Sequence, residues 1–323
     1  MPHFDLPLDQ LRDYRPSITE PADLDEFWND TLAEARAAGG APELATVEPA
    51  MPHVEVQDVT FPGFGGDPVK AWYSRPAGVD DDLPVIVQYQ GYNGGRGLPF
   101  EHTFWPSAGY AHLMMDTRGQ GSGWGGGGDT PDPEGSTPSQ PGYMTRGILD
   151  PSAYFYRRMF TDAVRAVDAA RSLPGVDAAR TIVAGISQGG GAAIAAASLV
   201  RDVAAALVDV PFLCHYERAV ALVDTDPYGE ITRYLSVHRD HTDRAFRTLS
   251  YFDGATLATR ATAPAIFSVA LMDDTCPPST VFAAYNAWGS DDKDIVVYPF
   301  NRHEGGGPHQ LRRQWEFLTR LLG

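Results

Sequence analysis

Strands that are apolar on both faces alternate with helical segments through most of this chain. Nearly continuous apolar runs occur in LPVIVQYQ (83–90), YAHLMMD (110–116), RTIVAGI (180–186), AALVDV (205–210), PAIFSVALMD (264–273) and KDIVVYPF (293–300). Strands of this kind lie inside a parallel sheet that helices cover on both faces. The intervening sequence has helical patterns at 160–173, 190–202, 278–289 and 309–322. The alternation therefore predicts a doubly wound α/β domain.

The N-terminal region departs from this alternation. The segment DEFWNDTLAEARAAGG (25–40) places apolar residues at helical spacing, so we expect a helical extension over about residues 1–40. Two alternating segments follow, at 54–61 and 69–76, and they predict antiparallel strands at one edge of the sheet. Together these features indicate a single α/β domain over residues 1–323.

Two stretches interrupt the pattern. Residues 119–147 are rich in glycine and proline and are predicted to form a long loop. A loop of this length in a compact domain is usually functional or disordered. Residues 211–254 are rich in aromatic and charged side chains and lie between two core strands. Because they are too long for one simple crossover, we predict a helical insertion that serves as a cap or a subunit contact.

The composition excludes several function classes. A net charge of -17 argues against nucleic acid and anionic membrane surfaces as partners. Cys214 and Cys276 are the only cysteines in 323 residues, too few for a disulfide framework or a zinc site. The N-terminus as it stands has no basic stretch followed by an apolar run, the pattern of a secretory signal. We therefore expect a cytoplasmic protein.

The stretch GISQGGG (185–191) carries the clearest chemical signal. Ser187 lies between a predicted strand and a helix of small residues, with Gly185 and Gly189 at G-x-S-x-G spacing. Side chains at the two glycine positions would collide with neighbouring elements in the tight turn that lifts the serine above the sheet edge. The following helix directs free backbone N–H groups and partial positive charge at the serine. The pattern predicts a nucleophilic serine.

The same stretch has two other interpretations. In a chain with 33 glycines the spacing could arise by chance. It could also be a phosphate-binding loop, but the ending G-K-[ST] is absent and the spacing G-x-G-x-x-G is not completed. The strand before the serine and the helix after it favour the nucleophile.

A nucleophilic serine needs a base and an acid that orients the base, in the chain order Ser, Asp or Glu, His for this class of fold. The strand at 264–272 ends in Asp273 and Asp274, either of which fits the acid. His303 lies in a late loop and fits the base, whereas His309 starts the last helix and is expected to face solvent. Taken singly, the acids could cap a helix and the histidine could be an ordinary loop residue. Their order favours a triad.

An oxyanion hole needs two backbone N–H donors. One should come from the residue after the nucleophile, Gln188, and the other from a loop after an earlier strand. The glycine-rich QGYNGGRG (90–97) follows the strand at 83–90 and points to Tyr92 as the second donor. An ordinary turn is the alternative interpretation of this loop.

Several segments together resemble a known family. The segments QYQGYNGGRG, MDTRGQGSGW, GISQGGG, VPFLCH, FRTLSYFDG, LMDDTCPPSTVFAAYN and HEGGG are similar to those of the acetyl xylan esterase and cephalosporin C deacetylase family, carbohydrate esterase family seven. The resemblance covers nearly the whole chain. Its signature motifs, R-G-Q, G-x-S-Q-G and H-E, stand here in the same order at 118–120, 185–189 and 303–304.

The resemblance implies an α/β-hydrolase fold and an acetyl esterase that needs neither a metal nor another cofactor. Ser187 is then the nucleophile and His303 the base. Asp273, directly after Leu-Met, is the acid, and the aspartate at position 274 departs from the asparagine more common there. The backbone N–H groups of Tyr92 and Gln188 match the family's oxyanion hole.

The resemblance assigns further residues to supporting roles. Arg118 and Gln120 would tie the loops around the active site together. Phe212, Pro227 and Cys276 match positions near the small acyl pocket of the family.

The resemblance also implies substrates and assembly. Members of the family remove acetyl groups from xylo-oligosaccharides and cephalosporin C, and form ring-like hexamers whose active sites face an inner cavity. Two other classes remain open. A peptidase of the same fold would normally carry a further large domain, and a non-catalytic binding protein would normally lack a member of the triad.

Overall fold

In the computed structural model, which describes residues 3–48, 50–135 and 140–323, nine strands form one sheet. The strands are β1 (Glu43–Thr46), β2 (Val54–Pro62), β3 (Pro68–Pro76), β4 (Leu83–Tyr89), β5 (Ala111–Met115), β6 (Val176–Ile186), β7 (Ala205–Asp209), β8 (Ala265–Ala270) and β9 (Lys293–Tyr298). Their spatial order is β1-β2-β3-β5-β4-β6-β7-β8-β9. The β1–β2, β2–β3 and β3–β5 pairings are antiparallel. The other five pairings are parallel. The predicted parallel sheet with an antiparallel N-terminal edge is confirmed.

Helices cover both faces of this sheet. They are α1 (Leu8–Arg12), α2 (Leu24–Ala37), α3 (Phe104–Ser107), α4 (Phe155–Ala170), α5 (Gln188–Leu199), α6 (Tyr216–Leu222), α7 (Tyr228–Val237), α8 (Thr242–Ser250), α9 (Gly254–Ala258), α10 (Pro278–Ala287) and α11 (Gly307–Leu322). Short 3-10 turns lie at Phe64–Gly66 and Arg239–His241. None of the helices within the described ranges combines the length and the apolar character needed to cross a lipid bilayer.

The burial of the strands explains why their sequences differ. All six residues of β8 are buried, whereas β2 alternates between buried and more accessible positions. On one face of the sheet, α4 and α5 pack into the larger apolar cluster. On the other face, Trp105 and Phe317 pack against the central strands in a smaller cluster. The strands that are covered on both faces are the ones with continuous apolar sequence.

Some elements differ from the sequence prediction. Strand β1 was not predicted, because all four of its residues are exposed and show no alternation. Helix α4 begins at Phe155, five residues before the predicted start, because its first aromatic side chains are buried despite their modest helix propensity. The predicted insertion, residues 211–254, contains α6, α7 and α8. In the long loop, residues 119–135 and 140–147 contain neither helix nor strand, and residues 136–139 lie outside the described residues.

Candidate active site

Ser187 occupies a strained turn between β6 and α5. Its φ and ψ are 58° and -120°, a backbone conformation that side-chain-bearing residues rarely adopt. A Cβ at Gly185 would lie 2.2 Å from the backbone carbon of Gly189, and a Cβ at Gly189 would lie 2.1 Å from the carbonyl oxygen of Tyr89. Both distances are far below a van der Waals contact. Glycine is therefore required on either side of the serine for steric clearance.

A chain of hydrogen bonds joins Ser187, His303 and Asp273. The Oγ of Ser187 lies 2.9 Å from Nε2 of His303, and Nδ1 of His303 lies 2.9 Å from Oδ2 of Asp273. Asp273 is fully buried, and its Oδ1 accepts hydrogen bonds of 2.9 Å from the backbone N–H groups of Thr275 and Cys276. These two donors fix the carboxylate so that its other oxygen faces the histidine. The arrangement can pass a proton from the serine hydroxyl to the imidazole.

The neighbouring candidates lie elsewhere. Asp274 pairs with the exposed Arg302 at 3.3 Å, and its backbone carbonyl accepts a 2.6 Å hydrogen bond from the Thr225 hydroxyl. His309 is exposed in the first turn of α11. Of the two aspartates that the sequence left open, Asp273 is the one that contacts His303.

The predicted oxyanion donors lie beside Ser187. Gln188 is the first residue of α5, so its N–H is one of those that a helix start leaves without an intrahelical partner. Tyr92 follows β4 and lines the same cavity as Ser187. A buried side-chain network connects Gln188 to Asn93, the residue after Tyr92. The Gln188 amide pairs with that of Gln120 at 3.0 Å, and Oε1 of Gln120 accepts a 2.6 Å hydrogen bond from the N–H of Asn93.

Arg118 has a structural position beneath these loops. Its guanidinium is fully buried and contacts the carboxylates of Asp162 at 2.8 Å, Asp67 at 3.0 Å and Asp132 at 3.5 Å. Asp162 belongs to α4, and Asp132 belongs to the long glycine-rich loop. Arg118 thus joins the segment after β5 to α4 and to the glycine-rich loop that contains Asp132.

A cavity of about 430 Å³ opens above Ser187 and His303. Trp124, 51% exposed, forms part of its wall, and its indole N–H donates a 2.8 Å hydrogen bond to the carbonyl of Tyr92. Pro227 lines the cavity as well. Within the part of the chain that the structure describes, Phe212 and Cys276 do not belong to the lining, because both are fully buried. Phe212 packs behind the wall, with its ring 6.3 Å from that of Tyr92.

Asp273, Cys276 and His303 are also close enough to be considered as metal ligands. Their ligand atoms lie within 4.8 Å of one another. However, both carboxylate oxygens of Asp273 already take part in hydrogen bonds. Oδ1 accepts one from the backbone N–H of Thr275, and Oδ2 pairs with Nδ1 of His303. Burial also raises the pKa of the Cys276 thiol well above its ordinary value, which disfavours the thiolate that a metal needs. The donor set is better suited to a hydrogen-bond relay than to a metal.

A second cavity, of about 240 Å³, lies behind the serine turn and is bordered by Gly185, Asp209 and Gly305. The carbonyl of Asp209 accepts a 2.9 Å hydrogen bond from the N–H of Ser187. Burial raises the pKa of the Asp209 carboxyl to about 7, although the hydrogen bond from Gln314 favours the charged form. The sequence prediction missed Asp209. The available signal was its place as the last residue of β7, the strand that pairs with β6, because Ser187 directly follows β6.

Sequence reasoning also missed two residues around the first cavity. Trp124 is an aromatic residue within the glycine run GSGWGGGG (121–128), directly after the R-G-Q motif, which is a signal that could have been used. Glu230 in α7 contacts Tyr92, but nothing in its local sequence indicates this contact.

Comparisons with known proteins identify the family and the fold of this chain. The sequence model of the family described as Acetyl xylan esterase (AXE1) matches residues 1–321. A solved acetyl xylan esterase from Paenibacillus sp. R4 is 38% identical, with a TM-score of 0.91, over 98% of this chain and all of that one. The solved Acetyl Xylan Esterase 1 from Thermoanaerobacterium sp. JW/SL YS485 is 33% identical, with a TM-score of 0.90, over 99% of this chain and all of that one.

A curated relative is longer than this chain. The acetyl esterase Axe7A of Xylanibacter ruminicola is 27% identical in an alignment of 312 residues that covers 90% of this chain but only 65% of that protein. The α/β-hydrolase fold implied by the sequence resemblance is confirmed by the solved relatives. The chain belongs to the acetyl xylan esterase family, whose members are carboxylic ester hydrolases.

Proposed function

We propose that this protein removes acetyl groups from acetylated xylo-oligosaccharides and from small acetyl esters such as cephalosporin C. The observation that carries the proposal is the continuous hydrogen-bond chain from Ser187 through His303 to Asp273 at the floor of a small cavity. Membership of the acetyl xylan esterase family supports acetyl esters as the substrate class.

Acylation begins when Ser187 attacks the acetyl carbonyl carbon. As Oγ forms its bond to carbon, Nε2 of His303 takes the hydroxyl proton, and the carbonyl electron pair moves onto oxygen. Asp273 holds the imidazole in the tautomer that can accept this proton and stabilises the imidazolium that forms. The backbone N–H groups of Tyr92 and Gln188 stabilise the oxyanion.

The tetrahedral intermediate then breaks its bond to the sugar oxygen. The leaving alcohol receives the proton from His303, and an acetyl group remains on Ser187. A water molecule repeats the sequence: His303 takes its proton, the hydroxyl adds to the acetyl carbon, and Ser187 leaves with that proton as acetic acid is released and then ionises to acetate. Atoms and charges balance across the two steps.

The walls of the cavity support a preference for a short acyl group and an extended alcohol. The cavity is small, about 430 Å³, and Tyr92, Pro227 and the half-exposed Trp124 line it together with Ser187. An indole face of this kind offers apolar contact to a sugar ring. We expect a steep fall in activity for acyl chains longer than acetyl, and a preference for octanoyl esters would contradict the proposal.

We further propose a cytoplasmic homo-oligomer, with the hexamer of the resembled family as the specific expectation. The free, buried state of Cys214 and Cys276 is consistent with a reducing compartment. Light scattering of the purified protein, together with fractionation of the source cells, tests both parts of this proposal.

The decisive experiment compares two serines. Ser187→Ala should lower turnover of p-nitrophenyl acetate by at least about 10³-fold and abolish labelling by a fluorophosphonate. Ser198→Ala makes the same change at a buried site in α5, the helix that follows Ser187, and should leave both readouts unchanged. Near-normal turnover by the Ser187 variant would refute the proposed function. A panel of sugar acetates and cephalosporin C then defines the substrate.

A further inference from the structure

Glu230 is a buried carboxylate that contacts two loops of the active site. It lies on α7, three residues after the cavity residue Pro227, and is 7% exposed. Its carboxylate accepts hydrogen bonds from the backbone N–H groups of Gly142, at 2.9 Å, and Met144, at 3.0 Å. It also accepts a short hydrogen bond from the hydroxyl of Tyr92. One side chain of the insertion therefore holds both the loop before α4 and the loop after β4.

Tyr92 is fixed from several directions. Its hydroxyl donates to Glu230 and accepts hydrogen bonds of 3.2 Å from the N–H groups of Gly142 and Tyr143. Its carbonyl accepts the indole N–H of Trp124 at 2.8 Å. The N–H of Tyr92 shares its peptide plane with the carbonyl of Gly91, which accepts a 3.1 Å hydrogen bond from the N–H of Gly94. Because this carbonyl, the Tyr92 side chain and the Tyr92 carbonyl are all held, the N–H has little freedom to turn.

The burial of Glu230 makes these contacts mutually dependent. A buried carboxylate is unfavourable unless it is hydrogen-bonded or paired with a cation. Burial raises the pKa of Glu230, and the hydrogen bonds from Tyr92, Met144 and Gly142 oppose that shift. The strongest stabilising contacts of the carboxylate are thus neutral donors from the two loops. If either loop moved, the carboxylate would lose the partners that compensate for its burial.

We propose that Glu230 is a positioning residue that aims the Tyr92 backbone N–H at the oxyanion. The inference rests on the proposed function, because it assigns a role to a group that acts only if Tyr92 contributes to an oxyanion hole. Within the described residues, Glu230 makes no hydrogen bond to Ser187 or His303 and does not line the cavity above them.

The physical consequence concerns the transition state more than the bound substrate. Donors of an oxyanion hole act on charge that develops during the reaction, so a misdirected donor lowers kcat and leaves KM nearly unchanged. Glu230→Gln keeps the size of the side chain but replaces one accepting oxygen by an NH₂ group. That NH₂ group would face either a backbone N–H or the Tyr92 hydroxyl, so at least one of the described bonds is lost.

Glu230→Gln should lower kcat for p-nitrophenyl acetate on the order of 10- to 100-fold, with KM changed by less than about threefold. The affinity for a trifluoromethyl ketone, whose adduct with serine carries an oxyanion, should fall in parallel with kcat. Glu217→Gln makes the same change at an exposed position of the same insertion and should leave kcat unchanged. Circular dichroism and the melting temperature show whether each variant is folded.

Tyr92→Phe provides the second test, because it removes the hydroxyl and keeps the backbone N–H. It should reproduce the kcat loss, and the double variant should lose less than the product of the two single losses. Normal kcat in both single variants, while Ser187→Ala is inactive, overturns the inference and leaves the proposed function intact. The inference is also overturned if the variants raise KM and bind the trifluoromethyl ketone as tightly, relative to substrate, as the native protein does. Activity in Ser187→Ala would instead overturn the proposed function.

Discussion

Replacing Asp273 by asparagine should disable the enzyme through the tautomer of His303. In the native structure Oδ1 of Asp273 accepts two backbone N–H groups, and Oδ2 accepts Nδ1 of His303. An asparagine has only one oxygen. The two N–H donors at 2.9 Å require that oxygen on their own side, because an NH₂ group there would face two donors at once. The NH₂ group is therefore directed at His303.

The size of the effect follows from this orientation. An NH₂ group facing Nδ1 makes that nitrogen an acceptor and places the imidazole proton on Nε2, which faces Ser187. The histidine then cannot take the serine proton. The loss expected for a wrong tautomer in a triad is about 10⁴-fold in kcat, or about 5 kcal/mol of transition-state stabilisation. Substrate binding should change little, because Asp273 is fully buried beneath the cavity.

Steady-state kinetics with p-nitrophenyl acetate at neutral pH measures this loss. Asp274→Asn is the matched control, because it changes the adjacent carboxylate, which pairs with the exposed Arg302. We expect the control to keep kcat within about threefold, since exposed ion pairs contribute little. If Asp273→Asn retained a tenth of the native kcat, or if both variants lost activity equally, the tautomer argument would be wrong.

Three further predictions concern stability. Gly185→Ala should lower the free energy of unfolding, measured in urea, by at least about 3 kcal/mol, because the new Cβ would lie 2.2 Å from backbone atoms. Gly40→Ala is the control and should be nearly neutral, because no atom lies within contact of its Cβ position. Arg118→Ala should lower the free energy of unfolding by about 3–5 kcal/mol, because it leaves the buried carboxylate of Asp162 without its cation. Arg312→Ala, at an exposed ion pair, should lower it by less than about 1 kcal/mol. For Asp209, the folded pKa near 7 lies above that of the unfolded chain, so the folded state retains a proton that the unfolded state has lost at pH 5–7. Native stability relative to Asp209→Asn should therefore fall by on the order of 2–3 kcal/mol between pH 5 and pH 8, and a flat difference across urea titrations would refute the assignment.

The parts of the fold that the sequence predicts are those in which burial is local and repetitive. Strand β8 is apolar throughout because both of its faces are covered, and the turn at Ser187 needs glycines because backbone lies within contact of both positions. Strand β1 has neither property, since all of its residues are exposed. Its pairing with β2 depends on backbone hydrogen bonds, which any residue but proline can make. No pattern of side chains therefore marks it.

The residues of the candidate site likewise fall into those that the sequence predicts and those that only the folded structure shows. The order of Ser187, Asp273 and His303 follows from the topology of the sheet, because strand ends of a parallel sheet meet at one edge. The contact between Glu230 and Tyr92 joins residues 138 positions apart, and the Gln120–Gln188 pair joins residues 68 apart. Such pairs depend on how whole elements dock. A single sequence carries no periodic signal for them, so they became visible only in the folded chain.

The contacts of the insertion bear on the two roles that the sequence left open for it. Glu230 accepts a hydrogen bond from the hydroxyl of Tyr92, which lines the cavity, while the Thr225 hydroxyl donates to the carbonyl of Asp274, next to Asp273. Pro227, between them in the sequence, forms part of the cavity wall. The insertion therefore completes the site of its own chain from two sides. Changes in α7 should alter catalysis even where the state of assembly is unchanged, which separates a cap role from a role in subunit contacts.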